Sequence, residues 1–432
     1  MDKLLIRGGN FLQGRLKVSG SKNTALPLMA GAVAARGVTT IDNVPGLRDI
    51  DTFGRVIGVT GAKVSFDEDA HRMTIDASTV DRPEAPYELV KRMRASFYML
   101  GALLARVGRA RVSLPGGCAW GPRPVDLHIE GVKALGAEVE LDRGYVVANA
   151  RGGRLAGGSF TLAPSSVGAT VNLLLAASTA SGGSRIENAA LEPDVVVFGE
   201  ALIAMGAKIH GLGTRTIEIE GVDGLHPVAL HNCPDRIELG TFMIAVAIAG
   251  EPGTPVTITG GRPDHLGESF VNVFRDTGAL LEIAEDGRIE VTAPEALEPV
   301  SIETAVYPGF PTDLQAQWTV LLSRARGNAK VVEHIYPDRF KHIAELRRMG
   351  MNAIVLGNEV VIEGGVRITG AQVMSTDLRA SVSLVLAGLV AEGETHVLRV
   401  YHLDRGYENL EGKLSAAGIA IERVRYDEFA DP

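Results

Sequence analysis

A short phrase recurs along the chain: a glycine, a small or apolar residue, then an alternating apolar segment. It stands at Gly61-Ala-Lys-Val, Gly136-Ala-Glu-Val, Gly206-Ala-Lys-Ile, Gly278-Ala-Leu-Leu, Gly350-Met-Asn-Ala and Gly418-Ile-Ala-Ile, at intervals of 68–75 residues. Upstream of each glycine, apolar residues fall three or four apart, as with Ile129, Val132 and Leu135, or Ile343, Leu346 and Met349. That spacing predicts an amphipathic helix, and the glycine its left-handed C-cap. After the glycine the period changes to two, as in Glu138-Val-Glu-Leu-Asp142. A further glycine often turns the chain into a second strand, as in Ala284-Glu-Asp-Gly-Arg-Ile-Glu-Val291.

Each unit also holds a helical stretch that is apolar nearly all round, at 24–35, 95–107, 169–180, 240–249, 314–325 and 378–391. A helix without a polar face is expected to be buried. A β-branched run follows each, for example Gly37-Val-Thr-Thr-Ile41. The chain therefore reads as six copies of an α/β unit of about 72 residues, each with two helices and three to four strands around a buried helix. A break near 232–234 predicts three units per domain.

Composition narrows the class. Apolar residues make up 46% and charged residues 22% of 432, which excludes a wholly disordered chain and allows a sizeable core. The formal charge of −9 argues against a protein that wraps nucleic acid. Two cysteines, Cys118 and Cys233, cannot build a disulfide framework and fit a reducing compartment. The first residues lack the apolar stretch of a secretory signal, and apolar runs such as 242–250 fall short of the ~20 residues that cross a bilayer. A soluble, cytoplasmic protein with no membrane span is expected.

Unusual polar residues gather at two places in the repeat: the start of the buried helix, and the loop before the amphipathic one. Lys22, Arg94, Arg123, Arg339, Arg379 and Arg405 occupy such points. Helix starts present free N–H groups and the positive end of the dipole, which favours anions. One arginine alone would more simply pair with a nearby carboxylate, as Arg405 with Asp404. Six cations at equivalent positions favour a site for a phosphate or carboxylate substrate. Cys118 follows two glycines and precedes Arg123 by five residues. A neighbouring cation lowers a thiol pKa, so Cys118 is a candidate acid or nucleophile, with an inert buried thiol as the alternative. Cys233 reads as structural. Asp313, in Phe310-Pro-Thr-Asp313, is either a helix cap or a general base. No HExxH motif, cysteine-rich zinc set or GxxxxGK[ST] loop is present, so no metal site is expected.

Eight stretches then carry a resemblance: Gly20-Ser-Lys-Asn23, Met93-Arg-Ala-Ser96, Leu114-Pro-Gly-Gly-Cys118, Arg123-Pro-Val-Asp-Leu-His128, Ser166-Val-Gly-Ala-Thr170, Phe310-Pro-Thr-Asp-Leu-Gln-Ala-Gln317, Thr376-Asp-Leu-Arg-Ala-Ser381 and His402-Leu-Asp-Arg-Gly-Tyr-Glu408. In this order they resemble the UDP-N-acetylglucosamine 1-carboxyvinyltransferases, a branch of the enolpyruvyl transferase family, nearly end to end. The resemblance implies an inside-out α/β barrel fold: two similar domains, 21–232 and 1–20 plus 233–432, each of three repeats around buried helices, with the active site in the cleft between them.

It also implies transfer of enolpyruvate from phosphoenolpyruvate to the 3′-hydroxyl of UDP-N-acetylglucosamine, releasing phosphate, in the first committed step of peptidoglycan synthesis. No cofactor is implied. By resemblance Lys22, Arg123 and Arg405, with Asn23, hold phosphoenolpyruvate. Cys118 protonates its methylene carbon, can form a covalent adduct, and is the target of fosfomycin. Asp313 takes the sugar hydroxyl proton. Asn23, Arg94, Arg123, Pro124, Val125, Asp126, Leu127, Ser166, Val167, Gly168, Asp313 and Ile335 line the nucleotide-sugar site, and Arg339, Asp377 and Arg379 support it. The chain departs from the family pattern at Pro164, where a lysine is common, at Trp120 and Pro122 in the loop, and at Pro337-Asp-Arg339. The shikimate-pathway enolpyruvyl transferase shares fold and donor, but lacks the Gly-Gly-Cys loop and the Arg-Pro-Val-Asp-Leu-His stretch found here. A catalytically silent relative that binds nucleotide sugar or partners is the remaining alternative.

Overall fold

The second half of each repeat folds as the marker glycines predict. Gly61, Gly136, Gly206, Gly278, Gly350 and Gly418 all follow a helix that buries one face, with φ between 88° and 101°. A side chain there would be strained, so glycine ends the helix and lets the chain reverse into a strand. The computed structural model describes residues 1–91, 93–115, 125–285 and 287–427. Cys118, Trp120, Pro122, Arg123 and Pro124 lie outside the described residues.

Among those residues the strands form six four-stranded sheets of one topology. In the second repeat Glu84–Ala85 runs parallel to Arg109–Ser113, which pairs antiparallel with Tyr145–Ala150, itself in a hairpin with Ala137–Asp142. The pairing of Arg109 with Asn149 through Ser113 with Tyr145 sets the register. It turns Ala110, Val112, Val146 and Ala148 into the core, so the alternation read in the sequence is a buried face against a solvated one.

The helices that are apolar all round are buried, as predicted: Lys22–Ala34, Val167–Ser178, Arg236–Ala249, Gln315–Arg324 and Leu378–Val390. The sixth begins as a tighter 3₁₀ turn, Arg94–Tyr98, before Met99–Val107, a common helix start. The backbones approach closely. A Cβ built on Gly101 would lie 2.4 Å from the Asn172 carbonyl oxygen, and the Gly101 N–H donates to Asn172 Oδ1 at 2.7 Å.

The chain divides into two compact units, Met1–Ser19 with Pro234–Pro432, and Gly20–Cys233. Each has its own apolar core. Each is also closed by strands distant in sequence. Ala229–His231 runs parallel to Val38–Asp42 in the first repeat. Asp2–Arg7 lies between Glu394–Leu398 and Ala420–Arg425, supplying the second hairpin strand of the sixth repeat, and Arg15–Lys17 joins Pro255–Thr259 in the fourth.

Candidate active site

In the unit Gly20–Cys233, Lys22 is the first residue of its buried helix. Ser21 caps that helix by accepting the Thr24 N–H at 3.2 Å, and donates to Asp194 Oδ1 at 2.9 Å. Thr24 Oγ1 donates to the same oxygen at 2.7 Å and lies 3.2 Å from Cys233 Sγ. Asp194 therefore fixes the helix start, and the buried Cys233 thiol packs against it, consistent with a structural cysteine. Lys22 Nζ sits 3.2 Å from Asp49 Oδ2, with both side chains about nine-tenths buried or more. A buried ammonium needs such an anion to stay charged. Asp49 escaped the sequence reading, although it shares a helical face with Phe53 and Val56; that phase is the signal that could have found it.

Asn23, next to Lys22, is half-buried, and so is Arg94, which opens the 3₁₀ turn of the second repeat. Val125 is buried, Asp126 exposed and Leu127 half-buried, at the start of the helix Asp126–Ala134. Ser166 caps the helix that begins Val167, Gly168, by accepting the Ala169 N–H at 3.3 Å. His128 joins these segments. Its Nδ1 is 2.7 Å from Asn172 Nδ2, and a Cβ at Gly168 would meet its ring at 3.2 Å. Burial, helped by Arg94, pushes the His128 pKa down to about 3, so the ring is neutral at physiological pH.

The other unit holds the predicted carboxylate. Asp313 lies in the turn Thr312–Leu314 before the helix Gln315–Arg324, and its side chain does not cap that helix. Phe310, packed edge-on against Trp318 at 5.2 Å and tilted against Phe270 at 5.6 Å, anchors the turn. The carboxylate instead meets two guanidiniums, Arg339 at 2.7 Å and Arg379 at 3.1 Å. Burial alone would raise its pKa, but Arg379 and Arg339 outweigh that and hold Asp313 well below the usual carboxylate range. The plain ion-pair reading thus holds for Arg339, Arg379 and Lys22. It fails in its specific form for Asp404, whose carboxylate accepts from Arg423 at 2.7 and 3.2 Å.

Each arm of the Asp313 clamp has its own support. Glu333, wholly buried, accepts from Thr304 and Thr312 hydroxyls and from the Ile335 and Tyr336 N–H groups at 2.7–2.9 Å. Thr312 in turn accepts from Arg339 at 2.7 Å. Glu333 thereby ties the Ile335 backbone to Arg339, a link no local spacing announces. Asp377 caps the helix Leu378–Val390, accepting the N–H groups of Arg379 and Ala380. Arg405 ends the 3₁₀ segment Val400–Arg405. Among the described residues no group of three or more metal-ligating side chains is gathered, and no helix is long and apolar enough to cross a membrane.

Within each unit, then, candidate cations are held by carboxylates, Lys22 by Asp49 in one and Arg339 and Arg379 by Asp313 in the other. The family profile of EPSP synthase (3-phosphoshikimate 1-carboxyvinyltransferase) matches residues 6–414, and the chain belongs to that family of enolpyruvyl transferases. A UDP-N-acetylglucosamine 1-carboxyvinyltransferase from Chloroherpeton thalassium is 51% identical over 100% of this chain and 99% of its own length. One from Chlorobaculum parvum is 50% identical, with both chains fully covered. Among solved structures, the enolpyruvyl transferase NikO from Streptomyces tendae superposes with a TM-score of 0.85 at 27% identity, covering 98% of each chain. EPSP synthase from Acinetobacter baumannii gives 0.75 at 18% identity, covering 98% of this chain and all of its own, which shows the shared fold alone.

Proposed function

We infer that the chain transfers enolpyruvate from phosphoenolpyruvate to the 3′-hydroxyl of UDP-N-acetylglucosamine and releases phosphate, the first committed step of peptidoglycan synthesis. The observation that carries this reading is full-length identity of about half to enzymes bearing that name. The fold and the clamped carboxylate are compatible with it. The reaction is placed in the cytoplasm, with no cofactor and no nucleic-acid partner.

In this reading Lys22, Arg123 and Arg405, with Asn23, hold the phosphoenolpyruvate anion. The Cys118 thiol gives its proton to the methylene carbon while the sugar oxygen bonds to the adjacent carbon. The hydroxyl proton passes to Asp313, leaving a tetrahedral intermediate. Return of a methyl proton to the Cys118 sulfur then restores the double bond as the carbon–oxygen bond to phosphate breaks. Cys118 is also the atom that fosfomycin alkylates. Arg94, the segment 123–127, Ser166 to Gly168 and Ile335 receive the nucleotide sugar.

Asp313 accepts a proton poorly while two guanidiniums neutralise it. Its service as the base therefore requires that substrate binding loosen its pairing with Arg379 and Arg339.

The decisive comparison is between acceptors. Phosphate release from phosphoenolpyruvate should require UDP-N-acetylglucosamine and stay at background with shikimate 3-phosphate. Turnover with shikimate 3-phosphate alone would favour the sister activity, and turnover with neither would favour a silent relative.

A further inference from the structure

The Arg379 arm of the clamp ends in a buried hydrogen-bond network that the proposed chemistry leaves unused. Tyr407 is 2% exposed, and Thr241 and Gln317 are buried beside it. Arg379 Nη1 donates to the Tyr407 hydroxyl at 3.3 Å, while Nη2 reaches Asp313 at 3.1 Å. Gln317 Nε2 lies 3.2 Å from the same hydroxyl, 3.1 Å from Thr241 Oγ1 and 3.0 Å from the Asp313 carbonyl oxygen. Thr241 Oγ1 is 2.8 Å from the Tyr407 hydroxyl and donates to the Ile237 carbonyl at 2.7 Å.

These contacts fix the proton directions. The Arg379 guanidinium and the Gln317 amide nitrogen only donate, so neither takes the Tyr407 proton, and the Tyr407 oxygen accepts from Arg379. Thr241 has committed its own proton to Ile237, so Tyr407 donates to Thr241. Burial raises the Tyr407 pKa against the pull of Arg379, which keeps the phenol protonated and the direction unchanged through the neutral range. Both terminal nitrogens of Arg379 are thereby anchored, one on the phenol and one on the carboxylate. An anchored pair of nitrogens sets the plane of a guanidinium, which a single contact cannot.

We propose that Tyr407 is a positioning residue for proton transfer, its hydroxyl holding the Arg379 guanidinium in the plane that orients the Asp313 carboxylate. Thr241 and Gln317 orient that hydroxyl. The proposal rests on Asp313 acting as the proton acceptor.

The test is a double-mutant cycle of Tyr407→Phe and Arg379→Lys, read as kcat and KM with phosphoenolpyruvate and UDP-N-acetylglucosamine. Tyr407→Phe keeps the ring and removes one hydrogen bond to a charged group, so kcat should fall about tenfold. KM for the nucleotide sugar should stay within about twofold, since the lost contact orients the reacting carboxylate. In the Arg379→Lys background the same change should lower kcat by less than about twofold, because its partner is already gone. A lowered thermal midpoint with unchanged kcat, or an equal kcat loss in both backgrounds, overturns the proposal and leaves Tyr407 a packing residue. If Tyr407→Phe does not fold, Thr241→Val decides: a several-fold loss in kcat is expected, and unchanged kcat refutes the idea. A wild-type protein inactive with both substrates would instead overturn the functional reading itself, so the two failures are distinct.

Discussion

Replacing Asp313 by asparagine separates the carboxylate's chemical role from its structural one. Asparagine keeps the size and one acceptor oxygen but removes the charge between Arg339 at 2.7 Å and Arg379 at 3.1 Å. Those arginine side chains are only 10% and 5% exposed, so they lose an anion they cannot replace with bulk water. Breaking a buried pair costs about 3–5 kcal/mol. Asp313 itself is 29% exposed, and the retained amide oxygen keeps one bond, so the loss should sit near about 3 kcal/mol or below. The charge of Asp313 contributes stability above the ordinary carboxylate range that is lost only as pH falls below it. The wild-type advantage should therefore be flat from about pH 5 to pH 8. Catalysis should change far more: removing a general base lowers kcat by about 10²–10⁴, with a smaller effect on KM for the nucleotide sugar. Steady-state phosphate release measures kcat, and circular dichroism with a thermal scan confirms that the variant is folded. A folded Asp313→Asn protein with kcat within about threefold of wild type would refute the base assignment, since general-base loss is never so small in this account.

Other predictions follow from separate features. Cys118→Ala should abolish the covalent mass shift with fosfomycin and greatly reduce turnover; undiminished labelling would put the reactive thiol elsewhere. Gly101→Ala should destabilise by about 1–3 kcal/mol through overpacking against the Asn172 carbonyl, seen as a lower thermal midpoint; an unchanged midpoint would mean that the two helices separate freely. Glu238 is wholly buried, accepting the Ser19 N–H at 2.6 Å and Lys413 at 2.7 Å, and burial pushes its pKa up to about 6 despite these partners. The fold thus favours its protonated form, so its contribution is present below the ordinary glutamate value and is lost as pH rises through 6. That loss is about 2 kcal/mol, so the thermal midpoint of wild type relative to Glu238→Gln should drop by about 4–8 °C between acidic and neutral pH. A pH-independent difference would show that Glu238 is not so perturbed.

The repeat was legible because its signals are local: a helical period, a glycine with positive φ, then a strand period. A helix without a polar face announces its burial in the same way. The closing strands were harder to read, because Arg15–Lys17 and Ala229–His231 have three residues each and pair with segments far along the chain. Of the candidate site, the cations at helix starts and in the following loops stood out by repetition, and Asp313 by its local sequence, with the choice of base over cap coming from resemblance. Their supporting groups did not. Asp49 and Asp51 both lie in the first turn of one helix, yet one meets buried Lys22 and the other exposed Arg55. Glu333 reaches back to Thr304 and Thr312, and Tyr407 to Arg379, across sequence separations where no spacing rule reaches.

The central claim is tested most directly by following phosphate and product together. With phosphoenolpyruvate and UDP-N-acetylglucosamine, the account predicts one phosphate released for each enolpyruvyl ether formed on the sugar 3′-hydroxyl, and no release after fosfomycin preincubation. Phosphate released without that ether, or no turnover from folded protein, would contradict it.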